Sequence, residues 1–178
     1  MKVHEEHKKK GPKVVNIALV IVSTTRFNEI REAKITSDET IPLVEEILSE
    51  HPEISLVASE IVSDDAKQIM KAFNKFLSDP SIQAIIFSGG TGLSPKDITY
   101  ETIQPLLEKE IAGFGEIFRL LSYKEIGVSA ILSRASGGKI NNKAVFLLPG
   151  SPKAVELALK ELLIPELSHI VYIINKTE

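Results

Sequence analysis

The chain has 178 residues, 43% of them apolar and 25% charged, with a net charge of −3 and no cysteine. That length suits one domain with a sizeable core, and the composition excludes a disordered chain, a disulfide framework and the concentrated basic surface that nucleic acid requires. No apolar run reaches the length of a membrane span and the first residues lack the apolar centre of a signal peptide, so a cytoplasmic protein with no membrane partner is expected.

Residues 1–13 contain the one basic run, Lys8-Lys9-Lys10, and are expected to be a flexible, solvated tail ahead of a single domain at 14–178. His4 and His7 lie there without the second half of a zinc site. Residues 14–22, VVNIALVIV, are nearly all apolar and short enough for a strand covered on both faces, ending in a polar loop at Ser23 to Arg26. Ser37-Asp38-Glu39-Thr40 offers caps to a helix whose apolar residues Ile41, Val44, Ile47 and Leu48 recur at helical spacing until His51-Pro52 stops it. A second strand is predicted over 54–62, closed by Ser63-Asp64-Asp65. The stripe Ala66, Ile69, Met70, Phe73, Phe76 and Leu77 then predicts a helix ended by Ser78-Asp79-Pro80, and residues 82–87 a third strand.

Beyond it, helices are predicted over 98–108 and 115–125, separated by Ala112-Gly113-Phe114-Gly115. Strands at 131–135 and 144–148 bracket Ser136-Gly137-Gly138-Lys139, which reads as a hairpin or a tight return. Pro152 suits the first turn of a helix to about residue 163, and Ile164-Pro165 is expected to break it before a last amphipathic segment. The order strand, helix, strand, helix, strand predicts an α/β fold with parallel pairing through right-handed crossovers.

If those strands are parallel, four loops meet at one edge of the sheet: Ser23 to Arg26, Ser63 to Asp65, Ser88 to Asp97, and Pro149 to Pro152. Ligands of open parallel sheets bind outside the carboxyl ends of the strands. The loop SGGTGLSPKD, residues 88–97, fails both common nucleotide motifs: Lys96 is misplaced for a P-loop, and Pro95 stands where G-x-G-x-x-G needs its last glycine. Its glycines still allow close approach of backbone N–H groups to an anion. Ser94-Pro95-Lys96-Asp97 matches a capping box, with Thr99 a rival cap.

Asp97 beside an anion cradle suggests bound Mg²⁺, since a carboxylate repels phosphate unless a cation lies between them. A second carboxylate from the next strand end, Asp64 or Asp65, would share that ion, although both residues also suit an ordinary helix cap. Ser133-Arg134 offers a bidentate anion contact, with Ser23 and Arg26 of the same standing, although a lone arginine is more often a surface or ion-pair residue.

The stretch from Ser88 to Thr99 strongly resembles the signature of the MoaB/MogA family of molybdenum cofactor biosynthesis proteins, which includes the gephyrin amino-terminal domain. The likeness extends to Val62-Ser63-Asp64-Asp65, Gly113 to Arg119, Leu132-Ser133-Arg134-Ala135 and Leu148 to Ala154. Residues 114–127 look more like the MoaB branch.

The resemblance implies a three-layer α/β/α sandwich with a mostly parallel sheet, assembly as trimers or as hexamers of two trimers, and molybdopterin as ligand. Active members transfer AMP from Mg-ATP to the terminal phosphate of molybdopterin and release pyrophosphate, before molybdate or tungstate is added. Other molybdenum cofactor biosynthesis proteins are the implied partners. By the resemblance, Asp64 and Asp97 are the catalytic, metal-holding acids, with Asp65 in reserve. Ser23, Gly89, Gly90, Thr91, Gly92, Ser94, Ser133, Arg134, Gly150, Ser151 and Pro152 contact substrate, and Glu116 lines the wall. Residues 26–39 depart from the family pattern. The rival readings are a molybdopterin carrier that does not catalyse and a generic nucleotide binder.

Overall fold

The computed structural model describes residues 10–176. Nine-residue stretch 1–9 of the expected tail, with His4 and His7, lies outside the described residues. By Pro12 the chain is already on the domain, its carbonyl accepting a hydrogen bond from Ser168 Oγ at 2.8 Å.

The strands are β1 (Val15–Val22), β2 (Ile54–Val62), β3 (Ala84–Ser88), β4 (Lys109–Glu110), β5 (Ser136–Ile140) and β6 (Lys143–Leu148). They form one six-stranded sheet in the order β2-β1-β3-β6-β5-β4. The β2-β1-β3-β6 portion is parallel, while β5 and β4 are antiparallel additions at one edge. The helices are α1 (Thr24–Arg31), α2 (Thr40–Ser49), α3 (Ala66–Ser78), α4 (Thr99–Ile103), α5 (Ala112–Ile126), α6 (Pro152–Ala158) and α7 (Ile164–Asn175).

The central strands β1, β3 and β6 read as nearly continuous apolar runs because both faces are covered. Ile17, Leu19 and Ile21 of β1 join Ile86 and Phe146 beneath α2, α5, α6 and α7. Ala18, Val20 and Val22 join Ile85, Phe87 and Val145 beneath Phe73 and Phe76 of α3 and Ile103 of α4. Successive residues point to opposite sides, so each central strand contributes to both cores and the sheet is the middle of three layers.

Several elements fall elsewhere than their sequence suggests. Residues 24–31, expected as loop, are helical: Ser23 Oγ accepts the Arg26 N–H at 3.4 Å as N-cap, and the helix escapes periodicity because it buries none of its residues. The predicted strand at 131–135 is instead the end of a 3-10 helix, Gly127–Leu132, whose apolar Ile131 and Leu132 are exposed. The Gly137-Gly138 segment is the strand, because a Cβ at Gly137 would stand 2.6 Å from the Phe146 ring and one at Gly138 2.5 Å from the Lys109 carbonyl. The hairpin turn moves accordingly to Asn141, whose φ of 52° suits asparagine.

The predicted helix over 98–108 stops at Ile103 and passes through a 3-10 turn at Gln104–Leu106 containing Pro105. Residues 112–115, expected as a break, form the first turn of α5. Ile164-Pro165 does not break the helical run that begins at Pro152. A π-turn at Leu159–Leu163 joins α6 to α7, with the Ile164 N–H donating to the Leu159 carbonyl, so the usual bonding register is already interrupted where Pro165 would otherwise break it.

Lys143, 2% exposed, donates through Nζ to the carbonyls of Asp79 and Ile82 and so ties the end of α3 to β6. Burial holds its ammonium below the ordinary lysine value. Replacing it with Met strands both carbonyls, and a loss of about 1–3 kcal/mol in urea unfolding is expected. The unfolded chain binds this proton more readily in the window just below 10.5, so wild-type stability rises with pH there relative to Lys143→Met.

Candidate functional site

Parallel pairing brings four strand ends to one edge. Val22 pairs with Val62, Ile21 with Ser88, and Ser88 with Leu148. The loops after β2, β1, β3 and β6 therefore stand side by side, and chain order reverses across β1, the place where open α/β sheets hold ligands.

The glycine loop is fastened between its neighbours. Gly89 has φ of 106°, and a Cβ there would lie 2.2 Å from the Val22 carbonyl oxygen, so only glycine fits. Its N–H donates to the Leu148 carbonyl at 3.1 Å, and Ser88 Oγ donates to the Pro149 carbonyl at 3.2 Å. The next three carbonyls all face protein donors: Gly90 accepts from the Thr99 N–H, Thr91 from Arg134 Nε, and Gly92 from Arg134 Nη2. By contrast, the N–H groups of Gly90, Thr91 and Gly92 have no acceptor among the described residues, although Thr91 is only 3% exposed. These residues line a cleft of about 300 Å³. Unpaired donors on one side of a loop whose carbonyls are all engaged make a surface that suits an anion.

Two carboxylates flank that surface. The Thr24 N–H and Oγ both donate to Asp64 Oδ2, at 2.9 and 2.8 Å, and the Asp64 N–H donates back to Thr24 Oγ at 3.1 Å. Asp64 Oδ1 stays unbonded, 3.4 Å from where a Cβ on Gly90 would stand. Its neighbour Asp65 is turned away as the N-cap of α3, accepting the Gln68 N–H at 3.0 Å. Asp97 Oδ2 accepts the Ser94 N–H at 2.9 Å and would lie 2.7 Å from a Cβ on Gly92. The Ser94 to Asp97 capping-box contact thus forms, but it closes a turn, and α4 begins only at Thr99. Each acid keeps one free oxygen, and no group of three or more acidic or histidine side chains placed to hold a metal ion exists among the described residues. That donor set fits Mg²⁺ shared with phosphates and water, not an all-protein cage.

Gly89, Gly90, Thr91, Gly92, Asp97, Ser133, Arg134 and Gly150 line the cleft together with Leu132 and Pro149. Asp64, beside Gly90, is not among the residues lining the cleft. Ser23 caps α1, and Ser151 caps α6 by accepting the Ala154 N–H at 3.2 Å, with Pro152 in the first turn. Ser94 is exposed at the loop tip, and Arg26 pairs at 3.2 Å with buried Asp38 instead of facing the cleft. Glu116 lines an adjoining hollow of about 260 Å³ on the other side of Ser133 and Arg134.

Arg134 differs most from its sequence reading. All but one of its N–H groups are engaged by Thr91, Gly92 and the Glu101 carboxylate, and its guanidinium lies 4.5 Å from the centre of the Tyr100 ring. The pairing lowers the Glu101 pKa and raises that of Arg134. Thr24, Tyr100 and Glu101 went unnoticed in the sequence. Thr24 beside the first strand end had a positional signal, whereas Glu101 had none.

Residues 18–169 match the family model described as a probable molybdopterin binding domain. The chain is 42% identical over 172 residues to molybdenum cofactor biosynthesis protein B of Bacillus cereus, covering 96% of this chain and 97% of that protein. Among solved structures, a molybdenum cofactor biosynthesis protein B superposes with a TM-score of 0.83 at 41% identity, covering 93% of this chain and 99% of the other. The tungsten cofactor synthesizing protein MoaB from Pyrococcus furiosus gives 0.79 at 34%, with the same coverage. With a sheet order, a glycine loop and a full-length likeness that agree, the chain belongs to the MoaB/MogA family of molybdenum cofactor biosynthesis proteins.

Proposed function

We propose that residues 14–178 act as one cytoplasmic molybdopterin-binding domain that transfers AMP from ATP to the terminal phosphate of molybdopterin. The observation that carries this reading is the run of unpaired N–H groups at Gly90, Thr91 and Gly92, flanked by Asp64 and Asp97. A surface of backbone donors favours phosphate, and two carboxylates beside it favour a cation between them. Few ligands other than a metal-bound polyphosphate satisfy both.

The reaction asks little covalent chemistry of the protein. An oxygen of the molybdopterin phosphate attacks the α-phosphorus of ATP, a new P–O bond forms, the bond to the β-phosphate breaks, and pyrophosphate leaves with that electron pair. The nucleophile is already ionised at neutral pH, so no general base is needed. Alignment and charge neutralisation carry the rate. When bound, Mg²⁺ supplies the neutralisation, with Asp64 Oδ1 and Asp97 Oδ1 as the oxygens available to hold it. Thr24 fixes the Asp64 carboxylate, and the Ser94 N–H fixes that of Asp97. Gly90 and Gly92 keep side chains out of the space between loop and acids. The glycine-loop N–H groups orient the phosphates, while Ser133, Pro149 and Gly150 line the part of the cleft left for the pterin.

Asp97→Asn preserves an acceptor for the Ser94 N–H but removes the charge. It is expected to slow AMP transfer about a hundredfold or more while leaving molybdopterin affinity within about threefold. Purified protein mixed with molybdopterin and Mg-ATP, followed by detection of AMP-linked pterin, checks this. Wild-type protein that binds molybdopterin tightly but makes no product would establish the carrier reading instead.

The same proposal includes self-assembly as a trimer or a hexamer of two trimers. On α5 and the following turn, Ile117, Leu120, Tyr123, Ile126, Val128, Ile131 and Leu132 are all roughly half or more exposed. Of these, Leu120 and Tyr123 lie opposite the face that buries Phe114, Phe118 and Ser122. So contiguous an apolar surface calls for a partner, and a second copy meets that need. Leu120→Asp is expected to convert the assembly to monomer in sedimentation velocity, with the far-UV spectrum unchanged.

A further inference from the structure

The geometry points to the Arg134–Glu101 pair, stacked on Tyr100, as a positioning device that holds the glycine loop with its N–H groups turned to the cleft, Arg134 itself being no ligand of the anion. The inference rests on the anion-binding reading of that loop and adds three residues that act through it.

A glycine-rich loop has more accessible backbone states than any other sequence, so its N–H groups converge only if something else fixes the peptide planes. Each peptide plane carries its carbonyl and the following N–H on opposite sides. Holding the Gly90, Thr91 and Gly92 carbonyls toward the protein therefore aims the N–H groups of Thr91, Gly92 and Leu93 the other way. Thr99 holds the first carbonyl through backbone alone. The other two depend on one guanidinium, whose Nε and Nη2 reach Thr91 and Gly92 in the fixed fork of arginine.

That fork is oriented from behind. Glu101 takes Nη1 and Nη2 through its two oxygens, and the Tyr100 ring lies 4.5 Å from the guanidinium carbon. Glu101 and Tyr100 come from α4, the helix that follows the loop, so the loop is clamped by its own continuation through a residue 43 positions beyond Thr91. Glu101 is mostly exposed and lies outside the cleft lining, so its effect on a bound anion must pass through Arg134. Its charge makes the point sharper: a carboxylate near an anion site should weaken binding unless its task is to hold something in place.

The test uses the full chain, inorganic pyrophosphate with Mg²⁺ as probe, calorimetric titration, and amide hydrogen exchange across residues 89–93. In Glu101→Ala the clamp loosens, and pyrophosphate affinity is expected to fall about tenfold while loop exchange quickens and the global melting temperature holds. Arg134→Lys keeps the charge but loses the fork, and it is expected to show the same loss. Unchanged or tighter binding in Glu101→Ala with unchanged loop exchange would overturn the inference, since it would mean Arg134 was released to contact the anion directly. Full affinity in Arg134→Lys would overturn it as well. Failure of the wild-type chain to bind pyrophosphate removes the anion-binding reading itself, an outcome distinct from either variant result.

Discussion

Parallel strands end their ladders on the same edge, and that constraint organises everything else in this molecule. The apolar runs of β1, β3 and β6 bury mainly hydrocarbon and backbone, and the ladder satisfies the backbone. Where the ladder stops, four chains emerge together with unsatisfied peptide groups. The loops solve this by bonding to one another: Gly89 to Leu148, Ser88 to Pro149, Ser23 to Val62, and Asp64 to Thr24. Among the described residues, the N–H groups of Gly90, Thr91 and Gly92 are left without an acceptor. The site is thus the residue of an incomplete hydrogen-bond account at a sheet edge, and the ligand class follows from which groups remain.

The sequence revealed the central architecture because buried parallel strands have a strong signature and because α3 carries a clean apolar stripe. It failed where burial did not set the pattern. Helix α1 buries nothing, so its polar sequence looked like loop despite Ser23 as cap. The apolar Ile131 and Leu132 looked like a strand because exposure cannot be read from a short apolar run. Gly137 and Gly138 looked like a turn, since nothing local shows that Phe146 and Lys109 occupy the space where their side chains would be.

The site shows the same division. The glycine loop and the two aspartates were legible as motifs, and the division of labour between Asp64 and Asp65 was not. Both suit a cap by sequence, and only the fold gives that task to Asp65 while turning Asp64 toward Thr24 and Gly90. Arg134 was legible as a cation near an anion site. Its actual partners are two carbonyls and a glutamate 33 positions away, a tertiary relation with no local trace.

The π-turn between α6 and α7 has a geometric consequence for the whole carboxyl-terminal arm. Val155, Leu159, Leu163, Leu167 and Val171 are all buried, a spacing of four throughout. On an uninterrupted α-helix each such step advances the side chain by roughly 40°, so five residues would wind well around the axis and leave the sheet. The wider turn at Leu159–Leu163 sweeps fewer degrees per residue and brings the row back into phase. What looks like a local defect acts as a phase corrector, keeping one leucine seam aligned with the sheet from the site-bearing end of α6 to the far end of α7.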